Sequence, residues 1–459
     1  MSGTFGDINV PPTLIAFGVG TVSTDDVISP EFKKACDYLY LVKHNPRTDH
    51  YPDTEQLKTN FKAVNKAIKD KKIVAAYALG AGGLTEALAK MSFGNAVGAQ
   101  VVTEEKDLFD LSYGSILVES VEPIEAEGFI EIGKTIADPV LDINGEKIDI
   151  YEIEKINQNK FAEIYPDRSG VTGSAPNASG KRYTGKYAGE PVEHPVVFLP
   201  VFPGTNCDYD MIKAFEREGA RTGSMVFRNL TAEDINASVE AMVTGIDNCH
   251  VLAISGGFSE GDEPDGSGKF IASVLMNDKI KAAIERLLER DGLIIGICNG
   301  FQALVKSGLL PYGKIGELSA ESPTLFHNDI NRHISQIVQT RIASLDSPWL
   351  SGFEIGEIHN IAASHGEGKF TCSRECAERL LNAGQIAFQY VDPDGNATME
   401  SPYNPNGSTF AIEGVISPDG KIIGKMGHSE RYADGLMKNI YGEKKQNLFA
   451  NAVRYFRGE

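Results

Sequence analysis

The chain has 459 residues, and its fractions of hydrophobic and charged side chains are those of a globular protein. At about 100–200 residues per domain, this length predicts two to four folded domains. Lys and Arg total 44 against 63 Asp and Glu, and a net charge of −19 at pH 7 excludes nucleic acid and anionic membranes as expected partners. The sequence has no leader-like start, no run near the ~18 apolar residues of a membrane span, and only sparse cysteines, so we expect a cytoplasmic protein.

The first 165 residues contain both helix and strand signals, which predict an α+β domain. Apolar spacing behind Asp53 predicts a helix from 57 to 68, and the turn Gly80–Gly83 leads into a second helix, Leu84–Met91. The Asn144-Gly145 dipeptide favours a type I′ hairpin turn. The other predicted strands are Leu14–Phe17, Tyr38–Val42, Ser115–Glu119 and Phe129–Ile132, and an apolar stretch runs from Ile73 to Leu79.

Residues 166–194 are rich in Gly, Ser, Pro, Asn and Lys without apolar periodicity, which predicts a linker or a long surface loop at a domain boundary. From 195 to 459, short apolar strands alternate with amphipathic helices, the pattern of a parallel sheet covered on both faces, so this part is α/β. Later strand signals predict an antiparallel extension. The predicted strands here are Val196–Val201, Met225–Phe227, Val251–Ile254, Leu293–Ile297, Ile334–Ile342, Ile386–Val391 and Phe410–Val415.

The strongest chemical signal is a cysteine between a strand and a helix. The apolar strand Leu293–Ile297 runs directly into Cys298, and a helix begins just after it. This order is typical of a nucleophile elbow, in which the turn points the side chain at the start of the next helix, where the dipole favours a thiolate. A buried, inert cysteine is the alternative that this segment leaves open.

A base and its orienting carboxylate are available near the end of the chain. His428 and Glu430 follow a strand and are two residues apart, so in an extended segment both lie on one face. Glu430 could then hold the imidazole while His428 takes the Cys298 proton. A polar surface turn is the alternative. His365, in a glycine-flanked loop, is a further candidate ligand-facing residue.

A glycine-rich segment, Ser255–Asp262, directly follows the strand Val251–Ile254. Consecutive glycines at the carboxyl end of a strand expose backbone N–H groups where open α/β sheets bind ligands. We expect these donors to bind the oxyanion of an acyl-transfer intermediate, although a plain loop has the same composition.

These three motifs, in this order, resemble the class I (triad) glutamine amidotransferases, a flavodoxin-like fold. The segments Phe202–Asp208, His365–Gly368 and Tyr403–Ser408 narrow the resemblance to the glutaminase domain of phosphoribosylformylglycinamidine synthases, across roughly 195–459. The resemblance implies a metal-free site that hydrolyses glutamine through a covalent thioester. The implied roles are Cys298, His428 and Glu430 as the triad, Phe258 and Asn299 as oxyanion donors, and Gly257, Gln302 and His365 as substrate-binding residues.

Residues 1–165 are similar to the C-terminal part of a synthetase half of the large single-chain enzyme, an aminoimidazole ribonucleotide synthetase-like fold. Gly82–Leu84 and the region around Tyr113 carry this likeness. The family's magnesium-binding Asp is replaced by Ala81 and its His-Asp pair by Tyr77-Ala78, so we expect no metal site here. The resemblance implies that other synthetase domains or subunits supply ATP, Mg²⁺ and the formylglycinamide ribonucleotide site.

Two other functions fit parts of the same pattern. One is another cysteine hydrolase on the same scaffold, and the other is a non-catalytic scaffold that docks synthetase subunits. The His428 and Glu430 pair and Gln302 argue against the former, and the complete set of triad residues argues against the latter. Release of ammonia from glutamine separates these alternatives from a glutaminase.

Overall fold

Packing divides the chain into two units, Met1–Ala162 and Glu163–Glu459. The structure is a computed structural model that describes residues 3–5, 8–49, 51–162, 164, 166, 168–259, 268–316 and 318–459. Each unit has its own hydrophobic core, so each is described by itself.

The first unit is built on a mixed sheet with helices, in line with the predicted α+β class. Its described elements are β1 Gly3–Phe5, β2 Ile8–Val10, β3 Tyr38–Val42, α1 Thr54–Lys69, β4 Ile73–Ala78, α2 Gly83–Phe93, β5 Gly98–Val101, α3 Glu105–Phe109, β6 Ile116–Ser120, β7 Phe129–Ile136, β8 Val140–Ile143, β9 Glu146–Asp149 and α4 Ile150–Asn159. Seven of these described strands form one sheet in the order β4-β6-β3-β7-β5-β8-β9. Within it only β5 and β8 pair in parallel.

Local sequence signals explain the elements that were predicted here. The Asp53 side chain accepts hydrogen bonds from the N–H groups of Glu55 and Gln56 and so begins α1. Asn144 and Gly145 have φ angles of 53° and 92°, which confirms the hairpin turn between β8 and β9.

The prediction of a strand at Leu14–Phe17 is wrong. The segment pairs with no described strand, and Leu14 and Phe17 are 97% and 89% exposed. A short apolar run becomes a strand only where a neighbouring strand takes up its backbone hydrogen bonds, and none of the described residues does so.

A pair of carboxyl groups is buried beside β6. Glu119 is fully buried and accepts hydrogen bonds from the Lys33 N–H, the shorter at 2.8 Å. Asp37 is also buried. Burial, with a smaller contribution from the neighbouring Asp37, raises the pKa of Glu119 to about 7. Between about pH 4.5 and about pH 7, the folded first unit therefore keeps a proton that its unfolded chain has already released.

The second unit has the predicted α/β alternation. Its described elements are β10 Val196–Val201, α5 Asp208–Arg217, β11 Arg221–Val226, α6 Ala232–Asp247, β12 Val251–Ile254, α7 Lys269–Leu275, α8 Asp278–Glu289, β13 Leu293–Ile297, α9 Asn299–Ser307, α10 Leu309–Tyr312, β14 Thr324–Phe326, β15 Ile334–Ile342, β16 Ile358–His365, β17 Lys369–Thr371, α11 Arg374–Ala383, β18 Ile386–Tyr390, β19 Ile412–Ile416, β20 Ile422–Lys425 and α12 Leu448–Arg457.

Nine of the described strands form one sheet in the order β11-β10-β12-β13-β20-β19-β18-β15-β16. The pairs from β11 to β20 are parallel, and those from β20 to β16 are antiparallel. The predicted antiparallel strands thus extend the parallel sheet. Because β12, β13 and β20 are adjacent and parallel, the loops after them meet at one edge.

The segment predicted as a linker is packed along the second unit in its described residues. Ala178 is buried, and its N–H donates to the Gln389 side chain at 2.8 Å. The Arg341 guanidinium donates to the Ala178 carbonyl at 3.0 Å, and the Gly180 N–H donates to the Ala343 carbonyl at 3.0 Å. Polar groups packed against the segment make hydrogen bonds with its backbone N–H and C=O groups, so the segment is ordered without apolar periodicity.

None of the helices in the described ranges combines the length and the apolar character that crossing a membrane requires.

We expect the stability of the first unit to fall as the pH rises from about 4.5 to about 7, by an amount on the order of 3 kcal/mol. The sign follows because the folded state keeps the Glu119 proton that the unfolded state loses. Hydrogen exchange of peptides covering β3 and β6, measured across this pH range, reports the change. Glu119→Gln mimics the neutral carboxyl and should flatten the dependence; an equal slope in the variant would contradict the assignment.

Candidate active site

The chain turns sharply at Cys298, between β13 and α9. Cys298 has φ 52° and ψ −105°, a conformation that costs a non-glycine residue free energy and is held only by its surroundings. Its N–H donates to the carbonyl of Lys425 on the adjacent β20 at 2.8 Å. The predicted strand, cysteine and helix are therefore found in the order of a nucleophile elbow.

Two glycines, each two residues from Cys298, allow this turn. A Cβ at Gly300 would lie 2.0 Å from the Ile254 carbonyl oxygen, and one at Gly296 would lie 2.7 Å from the Gly300 carbonyl oxygen. Both contacts are with backbone, which cannot move aside cheaply. A glycine two residues before and another two residues after the cysteine is thus a sequence signal that supports the prediction of a nucleophile elbow.

His428 and Glu430 form a buried hydrogen-bonded pair, but Glu430 lies in a 3-10 turn, Ser429–Arg431, and not in the extended segment that was predicted. The His428 Nδ1 and Glu430 Oε1 atoms are 2.6 Å apart, and the His428 N–H donates to the Ala362 carbonyl at 2.9 Å. Burial alone would lower the pKa of His428, but Glu430, followed by the sulfurs of Cys298 and Cys207, holds that pKa well above its ordinary value. The imidazole is therefore biased toward its protonated form.

The side chains of Cys298 and His428 both lie close to Gly256 in the glycine loop. A Cβ at Gly256 would lie 2.9 Å from His428 Cε1 and 3.4 Å from Cys298 Cβ. The Cys298 Sγ atom also lies 3.7 Å from the Ser364 carbonyl oxygen, at the end of β16. The fold thus brings together residues more than 100 positions apart in the chain.

The sequence reasoning missed a buried charged network behind this pair. The Lys425 ammonium donates to Ser429 Oγ at 2.7 Å and to Gln446 Oε1 at 2.6 Å, and lies 3.5 Å from Glu413 Oε1. Glu413 also accepts the Gly427 N–H at 2.6 Å. A lysine inside the otherwise apolar strand before His428 was the available signal.

The predicted substrate residues lie on the same edge, but the Gln302 amide is already occupied. Its Oε1 accepts from Asn299 Nδ2 at 2.9 Å, and its Nε2 donates to the Glu367 carbonyl. His365 is buried, and burial, followed by the nearby His428 and His333, lowers its pKa to about 3. His365 is therefore neutral beside the imidazole of His428.

One predicted oxyanion donor has another partner. The Phe258 N–H donates to the Gly204 carbonyl at 2.8 Å, so in this conformation it is not available to an oxyanion. The Gly257 N–H makes no hydrogen bond to any described residue, and Asn299 begins α9, where the first N–H groups lack helical partners. The rest of the glycine segment, Glu260 to Asp262, lies outside the described residues.

The 365–368 turn is held by buried polar side chains from the Tyr403–Ser408 segment. Asn406 Nδ2 donates to the Gly368 carbonyl at 2.8 Å and to the Tyr390 hydroxyl at 3.0 Å. Ser408 Oγ accepts the Phe370 N–H at 3.0 Å. This segment, singled out by its sequence, supports the site from behind.

An α/β sheet that carries a cysteine elbow and a His–Glu pair at the carboxyl ends of neighbouring strands defines a glutamine amidotransferase-like site. The chain belongs to the CobB/CobQ-like glutamine amidotransferase domain family, whose model matches residues 194–456. Among curated proteins it is similar to the phosphoribosylformylglycinamidine synthase subunit PurQ of Gloeobacter violaceus. The two are 31% identical over 254 residues, which are 55% of this chain and 96% of that subunit.

Two solved structures are also similar to part of this chain. PurLQS from Thermotoga maritima matches 57% of this chain with 99% of its own, at 26% identity and a TM-score of 0.41. The glutaminase domain of CTPS from Trypanosoma brucei also matches 57% of this chain, with 93% of its own, at 13% identity and a TM-score of 0.35.

We expect Lys425→Met to destabilise the second unit by about 3–5 kcal/mol, because Glu413 would be left buried without its cation. Trp349, the only tryptophan of the chain, is buried in this unit, so its fluorescence during denaturant unfolding measures the loss.

The matched control is the double variant Lys425→Met with Glu413→Gln. Removing both charges should restore much of the lost stability. Equal losses in the single and double variants would show that the two groups are not coupled.

Proposed function

We propose that the second unit hydrolyses glutamine with Cys298 as nucleophile, His428 as acid and base, and Glu430 as its orienting carboxylate. The observation that carries the proposal is the buried 2.6 Å His428–Glu430 pair, which faces the strained cysteine turn above Gly256. Membership of the amidotransferase family and the likeness to the PurQ subunit support the choice of glutamine.

In the first half of the reaction, the Cys298 thiolate attacks the side-chain amide carbon of glutamine. The oxyanion accepts hydrogen bonds from the Asn299 N–H and, because the Phe258 amide is engaged elsewhere, from the Gly257 N–H. The protonated His428 gives its proton to the departing nitrogen. Ammonia leaves, and a γ-glutamyl thioester remains on Cys298.

In the second half, His428 takes a proton from a water molecule that attacks the thioester carbon. Collapse of this intermediate releases glutamate and returns the Cys298 thiolate and the protonated His428. Gln302 acts here as a positioning residue, because its amide holds Asn299 beside the nucleophile. Glycine at 256 leaves room for the substrate amide between sulfur and imidazole.

We further propose that the ammonia serves the ATP-dependent conversion of formylglycinamide ribonucleotide to formylglycinamidine ribonucleotide, a carbon–nitrogen ligase reaction of cytoplasmic purine biosynthesis. The likeness to the PurQ subunit supports this acceptor and association with synthetase partners. Those partners would supply ATP and Mg²⁺. The turn between β4 and α2 does not fit Mg²⁺: the Glu86 carboxylate there accepts the Gly82 N–H at 2.8 Å and contacts Lys90 at 2.6 Å.

We expect a glutamine-shaped diazo-ketone to alkylate Cys298, because its thiol lies in the strained turn at the start of α9 and faces His428. Peptide mass spectrometry locates the adduct, and added glutamine should suppress it. Cys36→Ser, which removes an exposed thiol, should label like the parent chain. Labelling without ammonia release would favour the scaffold alternative, and labelling that glutamine does not suppress would favour another cysteine hydrolase.

We expect Glu430→Gln to reduce kcat by about 10²-fold or more and to move the alkaline limb of the pH–rate profile to lower pH. The direction follows because Glu430 raises the pKa of His428, and the leaving nitrogen needs the protonated imidazole. Initial rates of ammonia release from pH 6 to 10 measure both effects. Glu357→Gln, a change at another carboxylate beside a histidine, is the control and should leave the limb in place.

A further inference from the structure

The turn that carries the catalytic pair is tighter than the extended segment in which residues two apart share a face. Ser429–Arg431 is a 3-10 turn, and His428 enters it with φ −89° and ψ 82°. The His428 Nδ1 and Glu430 Oε1 atoms nevertheless lie 2.6 Å apart. The pairing therefore depends on the contacts that hold this turn, and the spacing of the two residues does not explain it.

Ser429, between the two members of the pair, is held from inside the unit. Its Oγ atom accepts a hydrogen bond from Lys425 Nζ at 2.7 Å and donates one to Gln446 Oε1 at 2.6 Å. The Lys425 ammonium donates to the same Gln446 oxygen at 2.6 Å. All three side chains are buried, where a hydrogen bond is costly to leave unmade, so this triangle resists rearrangement.

The backbone before His428 is held by a separate contact. The Glu413 Oε1 atom accepts the Gly427 N–H at 2.6 Å, which fixes where the imidazole starts. That contact does not reach the residues that follow His428. Ser429 is therefore the side chain that fixes the step from His428 to Glu430.

Gln446 reaches the turn from a later segment of the chain. The Asn360 N–H on β16 donates to the Glu443 carbonyl at 2.7 Å, and Asn360 Nδ2 donates to the Tyr441 carbonyl at 2.8 Å. The chain that leaves the catalytic pair thus passes along β16 and returns to the pair. Its return places the Gln446 oxygen on Ser429.

We propose that Ser429 and Gln446 are positioning residues for the catalytic pair. With Lys425, they hold the turn so that Glu430 stays on Nδ1 of His428. The Nε2 atom, which has no hydrogen-bond partner among the described residues, then remains available for the reaction. The effect on catalysis rests on the proposed function, because a displaced imidazole slows the reaction only if His428 is its acid and base.

The titration of His428 reports where Glu430 lies. Burial lowers the pKa of His428, and Glu430 is the largest influence that raises it. The other titratable groups that act on the imidazole are Cys298 at the start of α9, Cys207 after β10, Glu413 on β19 and His365 on β16. The two cations of this region, Lys425 and Arg431, bind Ser429 and Cys207. A looser turn therefore weakens the hold of Glu430 on His428 and lowers the pKa of His428.

The test compares Ser429→Ala with the parent, both as the full chain. We expect kcat for ammonia release to fall about tenfold or more while KM changes less than about twofold, because the proton transfer is misaligned and substrate binding is not. The alkaline limb of the pH–rate profile should move to lower pH. NMR of isotope-labelled histidine, with the His428 signal assigned from His428→Gln, should show the same fall in the pKa of His428. Trp349 fluorescence verifies that each variant is folded.

Two changes at Gln446 test the other side of the contact. Gln446→Met removes the acceptor oxygen and should repeat the effects of Ser429→Ala. Gln446→Glu keeps an oxygen acceptor for Ser429 and Lys425 and should restore most of kcat.

Ser417→Ala is the matched control. Ser417 is a buried serine in the turn before β20, and its Oγ atom accepts the Ile422 N–H at 3.0 Å. This change loosens the other end of the same strand and should leave kcat and the alkaline limb in place.

An unchanged titration of His428 in Ser429→Ala and Gln446→Met, whatever happens to kcat, would overturn the positioning role, and so would an equal loss of kcat in Ser417→Ala. Ammonia release by the parent chain tests the proposed function separately. If the parent releases none, the glutaminase fails, and the titration of His428 in the variants still decides whether Ser429 and Gln446 hold the pair.

Discussion

The backbone at Cys298 is the constraint on which the rest of the site depends. Its φ of 52° is unfavourable for a residue with a side chain, so the packing around it must maintain the turn. Gly300 lies against the Ile254 carbonyl, and the Cys298 N–H is bonded to β20. The alignment of β12, β13 and β20 therefore supports the turn in the folded chain. The same alignment brings the glycine loop, the thiol and the imidazole to one edge.

The electrostatics of the site come from charges that are buried in pairs. Glu430 raises the pKa of His428 well above its ordinary value, whereas burial alone would lower it. Behind them, Lys425 lies between Glu413 and the Ser429–Gln446 pair and carries the backbone carbonyl that anchors Cys298. One strand, β20, thus carries both the buried Lys425 side chain and the carbonyl that anchors the Cys298 turn. A buried charge that remains paired also makes the local structure specific, because any other arrangement would leave it without a partner.

The sequence predictions succeeded where the signal was local and failed where it depended on a neighbour. The helix behind Asp53 and the Asn144-Gly145 turn are determined within a few residues. Leu14–Phe17 lacked a pairing strand, and the segment from 168 to 194 is ordered by side chains such as Gln389 and Arg341 that come much later in the chain. The Phe258 N–H, predicted as an oxyanion donor, fails for the same reason, because it donates to the Gly204 carbonyl in another loop.

The sequence by itself determined the order of strands and helices in the second unit, the cysteine elbow and the His428–Glu430 spacing, because periodicity and short motifs are local properties. It also determined the resemblance to the amidotransferases. Only the tertiary structure decided which amides stay available to an oxyanion, how Lys425 is paired, and that Cys207 lies beside the catalytic pair. These are contacts between residues far apart in the chain, and their energies depend on burial and distance, which exist only once the sheet has assembled.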